Sequence, residues 1–441
     1  MRNRSKAAAA VAGMVLLGAQ ALAMAPGAQA ATGTVVDRNL DTYTVFAQDG
    51  KANNIRISTV DTPTGTNIVV EDAGDLVIAG DDCTTVNTHR VECVRSGNPQ
   101  LIVSGGDLND TLTNTTVIPA VMQGGTGDDT ITAGDAVGGT LNILSGDAGV
   151  DTLNGGGHSD RLSGGSGNDR LLGNDGQDTL DGGPGDDVLT GGPGTDTFRS
   201  SDTAADGADV MNGDGSDIST YASRTAPVTV TLDGVANDGA AGEGDNNIGI
   251  INLIGGSGRD VLTGDAGTSI INGGPGNDVL EGAAGSDFLN GDAGDDILSG
   301  GPGLTIGPNG VVPDGDTLLG GAGTDTVRYS TRTGPLTVTI NGQANDGGPG
   351  EGDNVSVDVE NVVGGTANDA ITGSPAANVL TGGNGNDTLI GAGGADVLQG
   401  LNGDDVLNGV DGVAGNDQVN GGNNIDACTS DAGDIETGCE S

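Results

Sequence analysis

Large aromatic side chains are almost missing: 441 residues contain no Trp, three Tyr and three Phe. Such residues supply much of the burial in an ordinary core, so their scarcity excludes a conventional globular interior. Positive charge is also scarce. Fifteen Lys and Arg stand against 62 Asp and Glu, a formal net charge of −47. That balance excludes the basic faces that nucleic acid and anionic membranes attract, and it favours cations as partners. Two histidines, His89 and His158, and four cysteines are too few for zinc, copper or iron sites of the usual kind. Neither H-E-x-x-H nor G-x-S-x-G occurs, and the region before the repeats described below is too short for a familiar hydrolase domain; no enzymatic role is expected. After residue 30 there is no apolar run long enough to span a bilayer, so membrane insertion is not expected, and helical periodicity is essentially absent.

What the chain has in excess is glycine, 86 residues, against a usual share of roughly 7%. The glycines are ordered. From Gly164 to Arg199 the sequence reads GGSGNDRLL, GNDGQDTLD, GGPGDDVLT, GGPGTDTFR: glycines first, Asp sixth, and an apolar residue (Leu171, Leu180, Leu189, Phe198) eighth. Six such nonapeptides run unbroken from Gly146 to Arg199, five from Gly255 to Ser299, and five from Gly364 to Asn408. GGAGTDTVR follows at 320–328, after an insertion at Leu304–Pro313; looser copies lie around Asp417 and Asp426, and outliers stand at 105–113 and 124–132. A fixed short period of this kind marks a solenoid, in which each repeat buries its apolar residue only by stacking on its neighbours.

Each unit carries the parts of an oxygen-ligand metal site. Calcium takes six to eight oxygens from carboxylates and backbone carbonyls; glycine lets carbonyls turn toward an ion, and one Asp per turn supplies charge. Magnesium is less suited, because it dehydrates reluctantly. GGSGNDRLL, GGPGDDVLT and GGNGNDTLI (382–390) satisfy every fixed position of G-G-x-G-x-D-x-U-x. On these residues the chain resembles the repeats-in-toxin (RTX, hemolysin-type) calcium-binding β-roll family, over roughly residues 105–429. With an N-terminal rather than a C-terminal export signal, it is more similar to the short exported calcium-binding proteins of high-GC Gram-positive bacteria, and toxin activity is not carried over.

The resemblance implies an all-β fold of parallel β-roll arrays joined by strand linkers, with multiple Ca2+ ions as the cofactor. Two nonapeptides form one coil, so alternate blocks share an edge. Asp151, Asp169 and Asp187 then line one edge of the first array and Asp160, Asp178 and Asp196 the other, with Asp129 before them. In the second array Asp260, Asp278 and Asp296 form an edge, with Asp287 on the opposite one; in the third, Asp369, Asp387 and Asp405 do, with Asp396 opposite; Asp325 and Asp417 are further candidate ligands. Ser269 and Asn378 stand where Asp is expected, so Asp287 and Asp396 are expected to bind more weakly.

A longer duplication overlies the nonapeptides: 221–246 matches 329–354, so a strand linker and its array were copied together. Val228–Leu232 and Leu336–Ile340 alternate apolar and polar residues and read as strands. The acids that follow (Asp238, Glu243, Asp245; Asp346, Glu351, Asp353) read as polar loops joining strand to array, with extra calcium ligation as the alternative. Residues 1–30, with a basic start, an apolar middle and Ala28-Gln29-Ala30, read as a secretory signal peptide. In an exported chain the pairs Cys83/Cys93 and Cys428/Cys439 read as two local disulfides.

The expected organisation is therefore a signal peptide (1–30), a small β domain or N-terminal cap (31–103), arrays at 104–199, 255–328 and 364–429, strand linkers at 200–254 and 329–363, and a C-terminal cap (430–441). The expected function is that of a secreted calcium-binding protein, extracellular or cell-wall associated, that folds on binding its ions. The alternative is a calcium-rigidified adhesin or cell-envelope spacer that binds a surface or polysaccharide partner through residues 31–103.

Overall fold

A computed structural model describes residues 33–440 apart from 40, 64, 81, 96, 137–138, 201–205, 304, 308–309 and 313. The expected signal peptide lies outside the described residues. The described residues form two compact units that divide between Gly194 and Thr195. Among the described residues every regular element is a strand; no helix is long and apolar enough to cross a membrane. The fold is a parallel β-roll.

In the first unit the strands Gln100–Asp107, Ala120–Thr126, Ile143–Ala148, Arg161–Ser166 and Thr179–Asp181 pair in parallel to form one wall. Thr111–Asn114, Thr130–Thr132, Thr152–Asn154, Arg170–Leu172 and Val188–Thr190 form the other. The nine-residue period explains the alternation. One nonapeptide supplies a turn and a short strand, and the next does so on the opposite wall. Each eighth residue therefore stacks on the eighth residue eighteen positions on: Leu144, Leu162 and Leu180 in one column, Leu153, Leu171 and Leu189 in the other. All of them are buried. The core of these coils is two columns of aliphatic side chains facing each other.

Coils this close demand glycine. Gly165 has φ +109° and Gly167 φ +131°, values an L side chain rarely adopts. A Cβ on either would run into a backbone carbonyl of the preceding coil, that of Asp147 or Gly149.

The residues before the repeats form antiparallel strands, among them Thr34–Asn39 with Thr42–Phe46 and Asn54–Thr62 with Gly65–Asp72. Thr42–Phe46 then pairs in parallel with Gln100–Asp107, and Asn54–Thr62 with Thr111–Asn114. They cover backbone edges that an open solenoid would leave unpaired. Cys83 and Cys93 are cross-strand partners in this region and are bridged.

In the second unit the wall built from Val228–Thr231, Val261–Thr263, Val279–Glu281, Ile297–Ser299 and Thr326–Arg328 continues through Asn361–Val363 to Val379–Asn384, Val397–Asn402, Gln418–Asn423 and Ile435–Thr437. The linkers are thus coils of the roll. Val228, Val230 and Leu232, and their counterparts Leu336, Val338 and Ile340, turn their apolar faces inward. Within the insertion, Thr305–Gly307 and Gly310–Val312 pair as an antiparallel hairpin. Cys428 follows Leu407 in its column and is bridged to Cys439.

Removing one side chain from a column leaves a void that rigid neighbouring coils cannot close. Leu171→Ala is expected to lower stability by about 2–5 kcal/mol, read by urea unfolding in saturating calcium. A loss below about 1 kcal/mol would contradict a core made of these columns.

Candidate metal centre

All but two of the array turns end at a sixth-position Asp, where the chain passes from the glycine turn into the strand; Ser269 and Asn378 hold that place in the other two. The Asp backbone N–H donates to Oδ1 of the Asp one coil further along the same edge. In the first unit the series runs from Asp110 to Asp129, Asp151, Asp169 and Asp187, at 2.6–2.7 Å per step, with Asp160 to Asp178 on the other edge at 2.7 Å. In the second unit it runs from Asp260 to Asp278, Asp296 and Asp325, and from Asp369 to Asp387, Asp405 and Asp426. The steps Asp196 to Asp217 and Asp396 to Asp417 have the same form. None of these aspartates is more than 3% exposed.

The second carboxylate oxygen is treated differently. Oδ2 of Asp129, Asp151, Asp160, Asp169, Asp278, Asp287, Asp296, Asp325, Asp387, Asp396, Asp405 and Asp417 is buried and accepts no hydrogen bond. It leans over the open face of the turn's first glycine. A Cβ on Gly146 would meet both Asp151 Oδ2 and the carbonyl of Gly164, the first glycine of the next coil. Gly164 stands in the same relation to Asp169 and the Gly182 carbonyl, and Gly291 to Asp296 and the Gly320 carbonyl. A buried anionic oxygen without a donor is costly, and here it converges with a carbonyl dipole of the same sign. A hard cation satisfies both.

Among the described residues no three His, Cys, Asp or Glu side chains gather around one point. An ion would therefore draw on one or two carboxylates per turn plus backbone carbonyls, a donor set of oxygen alone that suits calcium.

A model of the RTX calcium-binding nonapeptide repeat matches residues 121–136, 138–171, 163–198, 252–280, 272–303, 314–329, 363–398 and 381–413. These arrays are RTX calcium-binding repeats. No curated protein matches the chain. Most of the turns whose Oδ2 atoms lack donors lie within these segments; Asp110, Asp417 and Asp426 lie outside them.

Some residues of the RTX ladder escape a linear motif. Asp316 accepts the Asp287 N–H at 2.9 Å across 29 residues rather than 18, because the 304–313 insertion lies inside its nonapeptide. Its Oδ2, and that of the neighbouring Asp314, are also buried without a donor. The glycines Gly300 and Gly301 before the insertion and Thr-Leu-Leu after Asp316 were the available signal. Asp110 and Asp426, each with a donor-free Oδ2, belong to loose copies of the repeat.

The heads of the second and third arrays differ from their interiors. Asp260 Oδ2 accepts the Gly256 N–H at 2.6 Å, and Asp369 Oδ2 the Gly365 N–H at 2.7 Å. Ser269 Oγ accepts from Asp265, and Asn378 Oδ1 from Ser374. At these four turns a backbone amide already occupies the oxygen.

The linker acids are saturated in the same way. Asp238 accepts from Thr231 and Asn247, and Asp245 from Asp209 and the Tyr221 hydroxyl. Asp346 accepts from Thr339 and Val355, and Asp353 from Asp316 and Tyr329. Glu243 and Glu351 pair with the buried Arg224 and Arg332. These carboxylates hold the linker coils in register and leave no comparable opening for an ion.

Burial is the main force on the ladder carboxyls, and neighbouring carboxylates add to it. It pushes Asp129, Asp278 and Asp287 up to about 7, and Asp151, Asp325, Asp387 and Asp396 up to about 6. Asp160 also rises to about 6, with nearby His158 opposing the shift. Their ordinary value is 3.8. Because the folded-state value is the higher one, the calcium-free fold binds protons that the unfolded chain has lost. It is therefore destabilised as pH rises from about 4 to 7. Calcium must displace those protons. Calcium affinity is expected to weaken at least about tenfold between pH 7.5 and 5.5, with proton release on binding near pH 6.5. Titration calorimetry in buffers of different ionisation enthalpy reads both; pH-independent binding would contradict the assignment.

Proposed function

We propose that this chain is an exported, non-enzymatic protein whose RTX repeats take up multiple calcium ions and fold on binding them. One observation carries the reading: buried Oδ2 atoms without donors recur in turn after turn of the arrays, whereas the linker carboxylates of Asp238, Asp245, Asp346 and Asp353 accept hydrogen bonds within the fold. Adjacent coils in a parallel sheet lie about 4.8 Å apart. At that distance two carboxylates repel by about 3 kcal/mol at an effective dielectric near 20. A stack of them, backed only by a two-column core, favours the unfolded chain until cations intervene.

The concentration range suits an extracellular setting. A site with Kd near 0.1 mM gains about 1.4 kcal/mol in 1 mM calcium and almost nothing in 1 µM. Summed over many turns, that difference would keep the arrays unfolded where calcium is scarce and fold them where it is abundant. Export is supported by the basic, apolar and small-residue order of positions 1–30, and by two bridged cysteine pairs.

Circular dichroism of the chain from residue 31 onward, titrated with calcium and separately with magnesium, tests the reading. A cooperative gain of β signal between about 0.01 and 1 mM calcium, absent with magnesium, is the expected result. An unchanged β spectrum in excess chelator would overturn folding on binding.

A further inference from the structure

At one rung of the first unit's ladder an asparagine replaces the aspartate. Asn142 is fully buried. Its Oδ1 accepts the Ala120 N–H at 3.0 Å, and its own N–H donates to Asp160 Oδ1 at 2.8 Å. Both bonds are those of a ladder Asp. The difference lies at the remaining atom. Asn142 Nδ2 donates to the Gly134 carbonyl at 3.0 Å and to the Gly155 carbonyl at 3.2 Å. Gly155 is the first glycine of the next coil on that edge, and Gly134 opens the turn that leads to Asn142.

The amide orientation is forced. Reversed, it would set an oxygen against two carbonyls and an NH2 against the Ala120 N–H. In the interior turns the same place holds Oδ2, which converges with a glycine carbonyl and has no donor. At Asn142 two N–H groups fill it and point at the carbonyls.

The head of the other edge also carries an asparagine, with part of this chemistry: Asn53 Nδ2 donates to the Lys51 carbonyl at 2.9 Å and to Asp110 Oδ1 at 3.1 Å, and its Oδ1 has no donor. Asn53 donates its backbone N–H to Asp110 Oδ1 at 2.6 Å, and its Nδ2 donates to the Gly105 carbonyl at 3.2 Å. Gly105 is the first glycine of that turn. Both edges of the first unit thus begin with an asparagine whose Nδ2 donates to the carbonyl of a repeat's first glycine, Gly155 for Asn142 and Gly105 for Asn53.

Resting on the calcium-binding reading above, we propose that Asn142 is a protein-supplied substitute for the calcium ion at the head of its edge. The side-chain amide closes that turn without metal, and a carboxylate in its place makes the turn a calcium site. The position of the first ion on this edge is thus set by amide against carboxylate at one residue. The unfilled coordination that would otherwise end the ion row is replaced by two neutral hydrogen bonds, so the row's end does not depend on calcium concentration.

The test compares wild type, Asn142→Asp and Asn142→Ala as full chains, counting bound calcium by equilibrium dialysis with radioactive Ca2+ and following folding by circular dichroism. Asn142→Asp is expected to bind about one ion more than wild type. Asn142→Ala is expected to bind the wild-type number and, in saturating calcium, to unfold with an equilibrium constant raised roughly tenfold by loss of the plug. Asn142→Asp with the wild-type count, or unfolded even in saturating calcium, overturns the proposal; so does Asn142→Ala as stable as wild type. A wild-type chain that binds no calcium overturns the functional reading itself, an outcome distinct from the other three.

Discussion

The repeat coils of this structure depend on one hydrogen bond repeated along the ladder: the amide of a turn aspartate donates to Oδ1 of the aspartate one coil further on, with Glu360 and Glu440 as the acceptors for Asp325 and Asp426. The bond fixes the carboxylate in the plane of the turn, where its other oxygen cannot reach solvent. It sets the axial spacing of the turns and keeps the strands behind them in register. It also creates the central difficulty, a row of sealed anionic oxygens at strand spacing beside carbonyls of like polarity. Glycine at the first turn position is the other half of the constraint, because any Cβ there would occupy the space the oxygen needs.

The composition follows from this arrangement. The core of the repeat coils is two facing aliphatic columns, and Phe198 is among the few aromatic residues that enter it. The negative charge is concentrated where protein donors are scarce. The linkers show the contrasting solution: there Tyr221, Tyr329, Asn247, Arg224 and Arg332 supply donors and counter-charge, and their carboxylates are consumed within the fold. One chain thus uses acidic residues in two ways, as internal acceptors where a donor is built in and as open oxygens where it is not.

Much of the fold was legible because a nine-residue period with glycine, Asp and one aliphatic at fixed places translates directly into turn, ladder and column. The β-roll and the inward faces of Val228–Leu232 and Leu336–Ile340 could be read this way. What escaped was whatever depends on which coil lies next. Asp316 is separated from its motif by an insertion, and only its seat above Asp287 reveals its place. Asp260 and Asp369 match the motif, yet each has Oδ2 bonded to a backbone amide of its own turn. Asn142, nine residues before Asp151, has no aspartate to mark its turn but keeps the ladder's bonds. Linear spacing reports residue type; the donor that does or does not face each oxygen is a property of stacked coils.

The central claim is that the donor-free Oδ2 atoms mark the calcium positions and the saturated linker acids do not. Anomalous difference density from crystals of the calcium-loaded chain tests it most directly. The account predicts peaks beside Oδ2 of Asp129, Asp151, Asp169, Asp278, Asp296, Asp387 and Asp405, and none beside Asp238, Asp245, Asp346 or Asp353. Peaks at the linker acids with none along the ladder would contradict it.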